Sequence, residues 1–74
     1  MNEIELGFQL REMYENAPKG EKSISPILFG IKFADEIKNN QFAVPSIVES
    51  SGLPKSYEVA ANYGIRLTKY VDLK

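Results

Sequence analysis

The stretch Val44-Pro45-Ser46-Ile47-Val48-Glu49-Ser50-Ser51-Gly52-Leu53-Pro54-Lys55-Ser56-Tyr57-Glu58-Val59-Ala60-Ala61 decides the fold. Its first half reads as a short helix from about Val44 to Ser50. Pro45 falls in the first turn, where its missing N–H costs nothing. Gly52 is placed to stop that helix, because glycine takes positive φ more cheaply than any other residue. Leu53-Pro54 breaks the chain again, and a second helix is expected from near Lys55. Val48, small and apolar four positions before the glycine, lets the two helices cross closely. Leu53 is expected to plug the space between them.

Two helices joined by a glycine turn, with an apolar residue behind it, resemble a helix-turn-helix over residues ~44–70. The stretch departs from the motif at two points. Pro54 follows the glycine closely, and Glu58 stands where an apolar residue is expected, with Val59 one place later. A longer turn is therefore expected. The phrases Leu28-Phe29-Gly30-Ile31-Lys32-Phe33-Ala34 and Leu67-Thr68-Lys69-Tyr70-Val71 make the whole chain similar to a family of small, uncharacterised bacterial helix-turn-helix-like proteins. That resemblance implies a single domain over residues 1–74. The motif also implies DNA recognition, with the N-terminal part of the last helix in the major groove. Lys55, Ser56, Tyr57 and Asn62 are the candidates for base edges, since asparagine pairs with adenine and lysine donates to guanine or phosphate. Arg66 and Lys69 are the candidates for phosphate contact. Each has a plainer reading beside it: Lys55 as a solvated first-turn lysine, Tyr57 packed on Leu53, Asn62 merely exposed.

Outward from this stretch, the pattern stays helical. On the C-terminal side, Val59, Ala60, Tyr63, Leu67 and Tyr70 would share the buried face of the last helix. Gly64 interrupts it, at a cost of up to about 1 kcal/mol relative to alanine. If Gly64 instead capped the helix, Ile65, Leu67, Val71 and Leu73 would line one face of a strand. The phase Tyr63, Leu67, Tyr70 favours a continuous helix, and both readings of residues 65–73 stand. On the N-terminal side, Ser25-Pro26 opens a helix, with serine as its cap. Ile27, Leu28, Ile31, Ala34 and Ile37 follow at helical spacing, and Lys38-Asn39-Asn40 ends it, asparagine suiting a left-handed cap. Asn2 with Glu5 reads as a capping box for a first helix. Leu6, Leu10, Met13 and Tyr14 share its face, although residues 4–10 also alternate like a strand. Ala17-Pro18-Lys19-Gly20 breaks it after Asn16. The expectation is an all-α, four-helix domain. Its expected core is Leu10, Met13, Leu28, Ile31, Ala34, Ile37, Ile47, Val48, Leu53, Val59, Tyr63 and Leu67.

Composition narrows the function classes. The chain has 74 residues and neither cysteine nor histidine, so no disulfide can form, and a zinc site would be very unusual. No metal or cofactor is expected. A chain this short buries only about 60% of its unfolded surface, which together with the apolar run Tyr70-Val71-Asp72-Leu73 suggests a homodimer. Catalysis is not expected: there is no histidine or cysteine base or nucleophile, and Gly20-Glu21-Lys22-Ser23 lacks the upstream glycine of a phosphate loop. The acidic start and the lack of a long apolar stretch point to a cytoplasmic protein without a membrane span. Net charge is −1, but the charges are polarised. Residues 1–21 carry Arg11 and Lys19 against Glu3, Glu5, Glu12, Glu15 and Glu21, a net −3; residues 53–74 carry Lys55, Arg66, Lys69 and Lys74 against Glu58 and Asp72, a net +2. The basic C-terminal third supports duplex DNA as a partner. The competing expectation is a protein–protein interaction module without nucleic-acid binding, because eight aromatic side chains are many for so small a core.

Overall fold

A computed structural model describes residues 1–71. They form four helices: α1 (Glu3–Asn16), α2 (Ser25–Asn40), α3 (Val44–Ser51) and α4 (Tyr57–Leu67), with a 3-10 turn at Lys22–Ile24 leading into α2. There is no strand among the described residues. Past Gly64 the chain stays helical to Leu67, and turns carry it on, with the Tyr70 N–H donating to the Leu67 carbonyl at 2.8 Å. The strand alternative therefore fails over residues 65–71; Asp72 and Leu73, which it and the terminal apolar run also used, lie outside the described residues.

Local chemistry sets the helix ends. Asn2 and Glu5 form the reciprocal capping box: the Glu5 N–H donates to Asn2 Oδ1 at 2.8 Å, and the Asn2 N–H donates to Glu5 Oε1 at 3.0 Å. The carbonyl end of α1 is closed from outside. Lys22 Nζ donates to the Tyr14 and Glu15 carbonyls at 3.0 and 3.3 Å, placing a cation at the negative end of the helix dipole. Ser25 is the first residue of α2 rather than its cap, because the preceding 3-10 turn runs straight into the helix. Its buried hydroxyl donates backwards to the Lys22 carbonyl at 2.6 Å. At the other end Gln41, not asparagine, takes the left-handed position (φ 55°). The Phe42 N–H donates to Ile37 O and the Gln41 N–H to Lys38 O, at 3.0 and 3.2 Å, the paired bonds of a Schellman cap.

Packing interleaves the chain: α1 lies on α3, and α2 on α4. At the first seam a Cβ on Gly7 would lie 2.6 Å from Ser50 Cβ and 3.0 Å from the Ile47 carbonyl oxygen. The two helices run parallel there, since α1 holds both ends of α3. The Glu3 carboxylate accepts from the Ala43 N–H at the start of α3 (2.6 Å), and Arg11 Nη1 donates to the Ser51 carbonyl at its end (3.1 Å). Ala43 has no side chain to cap α3, so α1 supplies both cap charges in the order the helix dipole favours. At the second seam Gly30 meets Gly64. A Cβ on Gly30 would lie 2.9 Å from the Ile65 nitrogen and 3.1 Å from the Gly64 Cα, and closer still to the Ala61 carbonyl oxygen.

That second seam corrects the expected core. Leu10, Ala34, Ile37, Ile47 and Val48 are buried as expected, and Met13 and Leu53 pack half-buried against them. Ile31 and Leu67 are only half-buried, while Leu28, Val59 and Tyr63 face solvent. Leu6, Phe29, Val44 and Ala61 complete the core instead. Two helices touching backbone to backbone leave room only for the smallest side chains between them. Helix α4 therefore turns Ala61 and Gly64 inward, and the bulkier Val59 and Tyr63, on the opposite side, point out.

Candidate nucleic-acid interface

The glycine turn after α3 has the geometry its sequence suggested. Gly52 has φ 76° and ψ 7°, and its N–H donates to the Glu49 carbonyl at 3.1 Å. The buried Ser51 hydroxyl braces the turn, donating to the Val48 carbonyl at 2.5 Å and accepting from the Leu53 N–H at 3.1 Å. Leu53 packs on the core. The turn is long, as Pro54 and Glu58 implied. It runs from Gly52 to Ser56, and N–H bonds from Tyr57 to Pro54 O and from Glu58 to Lys55 O, both 3.0 Å, wind it into α4.

The six candidate side chains divide into three groups. Asn62 and Arg66 share the outward face of α4, and Lys69, in the turn just beyond, continues along it; all three are exposed. Lys55 and Ser56 are exposed in the turn before the helix. Lys55 lines a cleft of about 420 Å³ between α3 and the start of α4, together with Glu49 and Glu58. Two carboxylates thus offset the lysine there, and the start of α4 is less cationic than its end. Tyr57 turns inward. It is half-buried, its ring centroid 5.8 Å from that of Tyr14, and it packs against the core. Burial, and then the adjoining Tyr14 phenol, hold its hydroxyl pKa above the ordinary value of 10.0. A phenol held there is positioned to join α1 to α4 rather than to reach a ligand.

Cations elsewhere are occupied differently. Arg11 pairs with Glu15 at 3.1 Å while holding the end of α3. Lys22 closes α1 and lies 5.1 Å from the Tyr14 ring centre. Lys55, Arg66 and Lys69 form no ion pair among the described residues. Val59, Tyr63 and Tyr70 share the outward side with Asn62 and Arg66, a set missed in the sequence because Val59 and Tyr63 fit an apolar stripe. The signal that could have found them is the alignment of Ala61 and Gly64 at i, i+3 with a second helical glycine, Gly30, to meet them.

The description of a helix-turn-helix-like domain matches residues 2–74, nearly the whole chain. The chain belongs to the HTH-like domain family. No curated protein and no solved structure matches it. In this HTH-like domain α3 and α4 are the two helices flanking the glycine turn. Among the described residues no helix is long and apolar enough to cross a membrane.

Proposed function

We propose that this HTH-like domain is a non-enzymatic, cytoplasmic module that binds duplex DNA through the outward face of α4. Asn62, Arg66 and Lys69 form the contact surface, with Lys55 and Ser56 at its edge. The supporting observation is the exposure of Lys55, Arg66 and Lys69, free of ion pairs among the described residues, beside outward Tyr63 and Tyr70, whose hydroxyls suit phosphate oxygens. Glu58, half-buried at the cleft, stands one turn before Asn62 on the same side of α4 and lowers the positive potential at the start of this face. With so few cations the affinity is modest and salt-sensitive, the salt slope being about 0.9 per phosphate neutralised.

An NMR titration with a random-sequence duplex at low salt tests this reading. Amide shifts centred on Asn62, Arg66 and Lys69 are expected. Arg66→Ala and Lys69→Ala should each weaken binding to all sequences alike and flatten the salt slope by about one unit. Asn62→Ala should instead change preference among sequences. Shifts confined to α1 or α2, or none, refute it. A second reading, a protein-interaction module, is favoured by the apolar exposure of Val59, Tyr63 and Tyr70 on the same face.

A further inference from the structure

Large apolar side chains stand in solvent at helical spacing on two separate faces. On α1, Ile4 and Phe8 are 60% and 65% exposed; on the outward side of α4, Val59, Tyr63 and Tyr70 are 75%, 54% and 82% exposed. Scattered exposed apolar residues are ordinary, but a continuous row marks a contact surface. The charges beside the two rows are opposite. Exposed Glu5, Glu12 and Glu15 accompany Ile4 and Phe8, and exposed Arg66 and Lys69 accompany Tyr63. Arg11, the cation within the α1 face, is paired with Glu15, which leaves Glu5 and Glu12 as the carboxylates of this face without an ion pair among the described residues. Stacking α1 on α1 would oppose carboxylates, and stacking α4 on α4 would oppose cations. Only α1 on α4 matches charge as well as apolar surface.

We propose that the domain self-associates head to tail, the outward face of α1 in one copy seating on the outward face of α4 in the next. Because the two faces differ, the contact is heterologous and can repeat along a row of copies. One helix face on another falls short of the about 800 Å² per partner of a standard interface. The association is therefore weak, and salt weakens it further. Phe8 and Tyr63 are its aromatic anchors. A corollary, which alone rests on the DNA reading, is that self-association covers the DNA face, so the two uses compete.

Sedimentation velocity at low salt, over a range of concentrations, tests the proposal with Phe8→Glu, Tyr63→Glu and their equimolar mixture. Both sites are more than half exposed, so the fold is retained, with circular dichroism as the check; Ile4→Glu and Val59→Glu, from the same faces, replace either variant that loses helicity. The wild type should grow beyond a dimer. Each variant alone should associate roughly tenfold or more weakly. Their mixture should form one-to-one dimers and nothing larger, since only one intact α1 face and one intact α4 face remain per pair. A wild type that stays monomeric overturns the proposal, as does a mixture that stays monomeric or a loss confined to one variant. Phe8→Glu keeps the α4 face intact. If it fails to bind duplex DNA, the DNA reading falls and the mixing result stands.

Discussion

Replacing Gly30 by alanine is the sharpest test of the α2–α4 seam, because two physical effects predict opposite signs. Alanine favours a helix interior over glycine by about 1 kcal/mol, so intrinsic propensity predicts a more stable protein. At the seam, however, the new methyl would meet backbone, which cannot rotate away: the Ile65 nitrogen at 2.9 Å and the Gly64 Cα at 3.1 Å, where ordinary contact begins at 3.4 Å, with the Ala61 carbonyl oxygen nearer than either. The helices must separate, and a gap of about 0.5–1 Å forfeits a quarter to a half of each dispersion contact across the seam. Overpacking of this kind costs about 1–3 kcal/mol, occasionally more. A clash against backbone belongs at the upper end, so after the propensity gain a net loss of about 2 kcal/mol is expected. Gly64→Ala should behave similarly, since its methyl would strike the Ile27 carbonyl. The double variant should lose less than the sum, because one separation accommodates both methyls. Urea unfolding followed by circular dichroism measures all three. An unchanged or raised midpoint for Gly30→Ala would refute the close crossing.

Further outcomes are expected elsewhere. Gln41→Gly should raise stability by about 0.5–1 kcal/mol in thermal unfolding, because a left-handed backbone costs a side-chain-bearing residue about 1–2 kcal/mol and glycine returns part of that gain as entropy. Glu3→Ala and Arg11→Ala should each cost about 1 kcal/mol by removing one charged cap from α3, seen as faster amide exchange in α3 than in α2. Tyr57, whose folded pKa is raised, contributes stability that is fully present below the ordinary tyrosine pKa of about 10 and is lost as pH climbs through the folded value. A tyrosinate absorbance titration should show a late-titrating phenol that Tyr57→Phe removes; a late part of the curve that Tyr57→Phe leaves unchanged would contradict it.

Where structure depends on neighbours along the chain, the sequence was readable. The Asn2–Glu5 box, the stop after Asn16, Pro45 and Gly52 bounding α3, and Leu53 behind the turn all follow from local backbone chemistry. The face of α4 did not, because two stripes compete on it. Val59, Tyr63, Leu67 and Tyr70 form the more hydrophobic one, and Tyr57, Ala61, Gly64 and Thr68 the smaller one. The choice is made by Gly30, more than thirty residues away, which offers α4 a backbone rather than a pocket. The same rotation explains the divided site. Asn62, Arg66 and Lys69 point outward together with the tyrosines, while Tyr57 falls on the inner stripe. The one-residue shift from Asn40 to Gln41 at the end of α2 is smaller in kind: asparagine suits the left-handed turn better, but the Phe42 N–H reaching the Ile37 carbonyl puts Gln41 there, at the cost noted above.

The order in which the helices pair has a kinetic meaning. Since α1 rests on α3 and α2 on α4, no two consecutive helices make a self-sufficient hairpin. Gly7 must wait for Ser50, and Gly30 for Gly64, before either seam can close. Most of the stabilising contact is therefore made across long loops, whose closure entropy is spent before any packing is gained. A nascent chain lacking α4 would hold α2 without its seam, and one ending before α3 would hold neither seam. Folding is thereby deferred until nearly the whole domain has left the ribosome, and then proceeds as one cooperative step, so a cut in the middle of the chain should leave two fragments that fold only when mixed.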